Sequence, residues 1–221
     1  MRVSTAVAGA ALLLILGPAP AQSQEWSEYL AYDDFFSINF PKEPTIQATT
    51  YETEYALKLP ARVYSADDAG GKYAITVVDW REAPKQHEAR FEACKANAGD
   101  LRGGENPALC GNSTRNEIRS AVLHAMAKYV TSGNQVTGLT SHNAEGVEGM
   151  RVQLTNKDGS RTFAVAIWHE YRLYVAEATA PKGAPPPGIF PVALGFLDQD
   201  GKRVRYAGPY SPLYPVPQRS R

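Results

Sequence analysis

The chain has 221 residues with 23 basic and 23 acidic side chains, so it carries no formal net charge. That balance excludes a global field drawing in nucleic acid or an anionic membrane. Eighteen glycines and sixteen prolines describe a turn-rich chain, and two cysteines offer one cross-link.

The first element in chain order is a secretory signal. Arg2 supplies a positive charge, Val3 to Leu16 is uncharged, and Gly17-Pro18 breaks the apolar run. That run is too short to span a bilayer, which takes about 20 apolar residues. Ala19-Pro20-Ala21 is a small-x-small site, so residues 1–21 read as a cleavable signal peptide and Gln22 as the mature N-terminus. The expectation is a periplasmic or secreted protein with no membrane span in the mature chain. In such an oxidising compartment Cys94 and Cys110 predict a disulfide across a Gly- and Asn-rich stretch, contributing about 3 kcal/mol for a loop of this size. A redox pair favours C-x-x-C spacing, and a metal site needs more ligands.

Residues 22–34 read as a polar lead-in, 35–206 as one domain, and 207–221 as a Pro/Tyr/Arg-rich tail. Phe36, Ile38 and Phe40 alternate with Ser37 and Asn39, which predicts a half-buried strand ended by Pro41. Ile46 to Ala56 reads as an exposed strand. Ala61 to Ala66 and Lys72 to Trp80 form a hairpin around Asp67 to Gly71. The second of these strands is apolar on both faces and therefore central. Pro84, His87, Phe91 and Cys94 suggest a helix, and Asn116 to Thr131 a second, with Ile118, Val122, Ala125, Met126 and Tyr129 on one stripe. Ser113 or Thr114 is its expected cap. Strands follow at Gln135 to His142, Met150 to Thr155, Arg161 to His169 and Leu173 to Ala180, with Asp158-Gly159 as a hairpin turn. Ile189 to Leu197 reads as a short helix. Strands, two helices and further strands predict an α+β fold, a mostly antiparallel β-sheet packed against two main helices.

The run Phe36-Ser37-Ile38-Asn39-Phe40-Pro41 resembles the opening of many members of the PsbP-like superfamily. So do the mid-chain helix on an antiparallel sheet, the late strand Arg172-Leu173-Tyr174-Val175, and the segment Ile189-Phe190 to Gly195-Phe196-Leu197. The chain is also similar to exported proteins of soil proteobacteria at Pro60 to Tyr64 and Thr76 to Asp79. The resemblance runs from about Phe35 to Leu197. It implies a PsbP-like sandwich and a non-enzymatic role, and it carries no catalytic residue over. The superfamily contains photosystem extrinsic subunits and envelope lipoproteins, but no cysteine here stands at the cleavage site where lipoproteins carry theirs.

Chemistry-bearing motifs are sparse. His87, His124, His142 and His169 form no H-E-x-x-H. No nucleophile elbow, P-loop or dinucleotide fingerprint occurs, so neither a cofactor nor a metal is expected. Asp198-x-Asp200-Gly201 starts like a calcium loop but has Pro209 where the loop needs Glu. Glu177, His169 and Asp79 each sit among apolar strand neighbours, where a raised carboxyl pKa would suit acid/base work. The competing reading places them at a sheet rim, with Glu177 paired to Arg161 or Arg172. Tyr206, Tyr210 and Tyr214, interleaved with prolines, form a pre-extended segment suited to docking a partner. The expected function is a non-catalytic exported domain binding a protein or envelope partner. The alternatives are a hydrolase-like enzyme with a scattered site, and a small-ligand binder using a pocket between sheet and helices.

Overall fold

A computed structural model of the protein describes residues 26–97, 114–211 and 217–219. The expected signal segment, Cys110, Ser113 and Tyr214 lie outside the described residues. The elements in order are β1 (Ser27–Ala31), β2 (Phe36–Phe40), β3 (Thr45–Glu52), β4 (Lys58–Asp68), β5 (Gly71–Asp79), α1 (Ala83–Asn97) and α2 (Thr114–Val130). Then come β6 (Gln135–Ala144), β7 (Val147–Thr155), β8 (Arg161–His169), β9 (Arg172–Ala180), α3 (Ile189–Val192), β10 (Gly195–Leu197) and β11 (Arg203–Val204).

Two antiparallel sheets form. The large one has seven strands in the order β3-β4-β5-β9-β8-β7-β6, and the small one has four in the order β1-β2-β10-β11. Side chains alternate across a strand, and here both faces of the large sheet's central strands are covered, while the edge strands β3 and β6 stay mostly exposed. On one face Ile75, Val77, Val165, Ile167, Tyr174 and Ala176 pack beneath Phe36, Ile38, Phe40 and Phe196 of the small sheet. On the other, Val78, Trp80, Ala164, Trp168, Leu173 and Val175 pack against Ala121, Ala125, Met126 and Tyr129 of α2. Two-sided burial explains the near-continuous apolar runs of β5, β8 and β9. Gly149 of β7 is required by close approach: a Cβ there would stand 2.3 Å from the Ala166 carbonyl oxygen.

Asp34 fastens the two sheets together. It sits in the β1–β2 connection, is buried, and receives the Arg62 guanidinium on both oxygens, with Arg62 Nε to Oδ2 at 2.6 Å. Tyr64 Oη donates to the same carboxylate at 2.6 Å, and Tyr174 Oη donates to the Asp34 carbonyl at 2.8 Å. Arg62, Tyr64 and Tyr174 belong to the large sheet, so one turn of the small sheet is bolted to β4 and β9.

Three sequence expectations change. Residues 27–34 are part of the domain, because β1 pairs with β2 from Ser27 opposite Phe40 to Ala31 opposite Phe36. The single helix expected over 189–197 divides: α3 stops at Val192, and Gly195 and Phe196 pair with Ser37 and Phe36 of β2. The start of the tail folds onto its own domain. Tyr206 and Tyr210 are each only 5% exposed. Their amides bond to the Glu145 and Gly146 carbonyls at 2.9 and 2.7 Å, and their rings stack at 4.8 Å. Gly146, at φ 91°, permits this docking, since a Cβ there would lie 2.9 Å from Tyr206 Cβ. The prolines of the tail suppress any strand or helix period, so its burial comes from tertiary pairing with the β6–β7 hairpin.

Asp34→Ala is expected to lower the unfolding free energy by about 2–4 kcal/mol, as loss of a charged, multiply bonded buried group does. Urea denaturation followed by far-UV circular dichroism measures it. An unchanged midpoint would mean that the two sheets are held together without this clamp.

Candidate functional site

The three acid/base candidates do not converge. Asp79 lies opposite Arg172 across β5–β9, and His169 lies opposite Arg172 across β8–β9. Asp79, Arg172 and His169 therefore form one row at the end of the large sheet, on the face beneath the small sheet. Glu177 lies further along β9 on the helix-covered face. There Tyr129 Oη donates to it and Lys128 Nζ is 3.8 Å away. Neither expected arginine reaches Glu177: Arg161 donates to the Ala184 carbonyl, and Arg172 donates to the Glu170 carbonyl at 3.4 Å.

His169 is 1% exposed. Burial first, and then the Arg219 and Arg172 charges, pull its pKa down to about 3. The ring is therefore neutral near pH 7, with Nε2 2.8 Å from Tyr206 Oη. An Nε2–H tautomer donating to Tyr206, which donates onward to Glu170 Oε1 at 3.4 Å, fits the network. It leaves Nδ1 as an unpartnered lone pair instead of an orphaned N–H. Burial acts to raise the Asp79 pKa, but bonds from the Arg81 side chain and backbone N–H, with Arg172 beyond, outweigh it and hold the carboxyl below its usual range. A base near pKa 3 and a carboxylate bound by arginine are poorly matched to proton transfer near neutral pH.

The same rim holds three non-glycine residues at positive φ: Phe35 at 56°, Glu170 at 44° and Tyr171 at 61°. Each costs about 1–2 kcal/mol relative to a right-handed conformation. Tertiary contacts hold them. Trp80 N–H donates to the Tyr171 carbonyl at 2.8 Å, Leu197 N–H donates to the Phe35 carbonyl at 2.9 Å, and the Arg172 guanidinium lies 4.4 Å over the Phe35 ring. The rim is thus a rigid seam between the sheets, with its charges largely paired.

A further buried pair escaped sequence reasoning. His87 Nε2 of α1 is 2.6 Å from Glu117 Oε2 of α2, with side chains 5% and 0% exposed. The helical stripe turns His87 inward, but Glu117 in the first turn of α2 reads from sequence as a macrodipole partner facing solvent. Only the packing of α1 across that turn makes it internal. His142 lies on the edge strand β6, and His124 contacts the Glu52 carbonyl at 3.2 Å. Among the described residues, no group of three or more His, Cys, Asp or Glu is placed to hold a metal ion, and none of their helices is long and apolar enough to cross a membrane.

An apolar opening lies elsewhere among the described residues. A groove of about 470 Å³ runs between Trp26, Tyr73 and Phe190 on one side and Pro185, Pro186, Pro187 and Ile189 on the other. The Trp26 and Tyr73 rings meet edge-on at 4.7 Å, and Tyr73 and Phe190 at 5.3 Å. Asn39 and Asp68 line it as well, and the Tyr73 hydroxyl adds a further polar group. Burial, and then the Asp68 carboxylate, push the Tyr73 phenol up to about 12, so it stays protonated at physiological pH. This groove lies beside α3, not between the large sheet and the long helices where a pocket was expected. A separate polar recess of about 530 Å³, lined by Lys42, Ser65, Lys72 and Thr179, reaches Glu177 without meeting His169 or Asp79.

No protein-family model matches the chain, and no curated protein matches its sequence. Among solved structures, the chain is similar to the solution structure of cyanobacterial PsbP (CyanoP) from Synechocystis, at 8% identity and a TM-score of 0.37. The match covers 75% of this chain and 86% of that one. It concerns the fold alone and transfers no residue role.

The suppressed basicity of His169 has a measurable consequence. Between pH 6.5 and about 3 the unfolded chain binds a proton at this histidine and the folded chain does not. Folding stability therefore rises with pH through that window, by up to about 1.4 kcal/mol per unit, and the contribution is level above it. In His169→Phe the corresponding slope should vanish, so wild type loses stability relative to the variant as pH falls from 6.5. Parallel denaturant midpoints for the two proteins across pH 4 to 7 would show that His169 titrates normally.

Proposed function

We propose that this protein is an exported, non-catalytic domain that acts by binding a protein or envelope partner. The groove beside α3 carries this reading. Ile189 is 82% exposed there and lines the groove with the exposed Trp26, while Val192, at the other end of α3, is exposed too, and clustered apolar exposure is a mark of an interaction site where single exposed residues are not. Pro185 to Pro187 stiffen one wall, so docking costs little ordering entropy on this side. The dispersal of Glu177, His169 and Asp79 over two faces supports the same reading. Export rests on the sequence of residues 1–21, and the predicted Cys94 to Cys110 disulfide suits the compartment that such a signal implies.

Photo-crosslinking from position 192, carried out on the protein expressed in its own cell envelope, tests the binding role. A discrete adduct is expected for the otherwise unaltered chain, with loss of at least about tenfold in yield for Ile189→Glu or Trp26→Ala, as for a contact at the centre of an interface. An adduct insensitive to both substitutions, or none at all, would overturn the assignment of this surface. Export is checked on the same material. The intact mass should lack residues 1–21, and no free thiol should be detected before reduction.

A further inference from the structure

The groove can be given an occupant, an inference that rests on the binding role just proposed. Its walls are aromatic rings and proline rings, which match an extended proline-containing backbone better than a compact polar ligand. The polyproline II conformation has no internal hydrogen bonds and leaves its carbonyls exposed. Asn39 lines the groove and carries a side-chain amide, a donor of the kind such carbonyls need.

Charge sets the other requirement. Asp68 is the one charged residue lining the groove. Its Oδ1 is fixed by the Gly70 and Gly71 amides at 2.8 and 2.9 Å, so the carboxylate is oriented before anything binds. Asp68 also lines an adjoining recess of about 330 Å³, together with Asp67, Asp158 and Lys72. Lys42 neutralises Asp67 at 2.7 Å, which leaves two carboxylates and one ammonium lining that recess. An anionic lipid or an acidic peptide would meet repulsion there, and a basic side chain would not. We infer that the groove takes an extended, proline-containing segment of a partner protein, with prolines or aliphatic side chains against Trp26 and Ile189 and a lysine or arginine against Asp68.

Residues 212–221 of this chain have that chemistry, with Pro212, Pro215 and Pro217 followed by Arg219 and Arg221. A fluorescein-labelled peptide of this sequence is therefore a suitable probe for fluorescence anisotropy with the full-length mature protein. Saturable binding is expected, weakened at least about tenfold when the three prolines become serine or the two arginines become glutamate. Asp68→Asn should weaken binding by about fivefold and flatten its salt dependence. The asparagine keeps an Oδ1 for the Gly70 and Gly71 amides, so the turn survives. Ile189→Glu, at a solvent-facing position, should abolish binding with unchanged circular dichroism. Equal affinity for the arginine and glutamate peptides, or for wild type and Asp68→Asn, would overturn the assignment. Concentration-dependent dimerisation of the unlabelled protein that Ile189→Glu removes would name a second copy as occupant and overturn the partner-protein assignment. If the peptide fails to bind while the crosslinked adduct still depends on Ile189, the occupant is wrong and the binding role stands. If both fail, both readings fall.

Discussion

The central strands of the large sheet are apolar on both faces, and such strands are stable only between two covering layers. The rest of the architecture follows from that constraint. The small sheet exists to cover one face, and α2 covers the other with Ala121, Ala125, Met126 and Tyr129. Small residues on the central strands, Ala164 and Ala166 on β8 and Ala176 and Ala178 on β9, let the layers approach closely. Asp34 then fixes how the small sheet sits, because its carboxylate and carbonyl together hold Arg62, Tyr64 and Tyr174 of the sheet below.

The same sheet acts as a partition for chemistry. Neighbouring positions on one strand point to opposite layers, so His169 and Glu177 never share a solvent space, although the strands bearing them are paired along their length. At the rim, Asp34 takes Arg62, Asp79 takes Arg81, and Arg219 lies 3.4 Å from both Glu170 and Asp198. These charges serve to close the ends of the sandwich. What the scaffold presents outward is a stiff, largely apolar groove where the chain enters β1 and where α3 crosses from β9 to β10.

Strand positions were readable wherever local pattern and turn chemistry agreed. Asp158-Gly159 marked the β7–β8 hairpin, and the two apolar faces of residues 73 to 80 marked an interior strand, which β5 is, between β4 and β9. The stripe through Val122, Ala125, Met126 and Tyr129 identified the covering face of α2. The elements that sequence did not reveal are those whose burial is purely tertiary. β1 has no alternation of its own and is defined by pairing with β2. Gly195 to Leu197 reads as helix by spacing, yet becomes a strand because β2 offers it a free edge. Tyr206 and Tyr210 lie in a proline-broken stretch without period, and a hairpin backbone elsewhere buries them. The candidate site shows the same division. Asp79 and His169 were correctly placed at strand ends, but the Arg172 between them emerges only from register. The groove combines Trp26, Tyr73 and Ile189, which no spacing rule connects.

Strand order also divides the chain into two halves. β1 to β5 with α1 precede the segment 98–113, and α2 with β6 to β11 follow it. Within each sheet a single antiparallel joint crosses that divide: β5 with β9 in the large sheet and β2 with β10 in the small one. All other strand pairing is internal to one half. The segment 98–113 therefore marks a natural point of fragment complementation, where two separately made pieces would meet along these two antiparallel seams. Cys94 and Cys110 fall on either side of most of that segment. A disulfide between them would keep the pieces covalently joined after a cut between the cysteines, turning the least patterned stretch of the domain into a tether for its two halves.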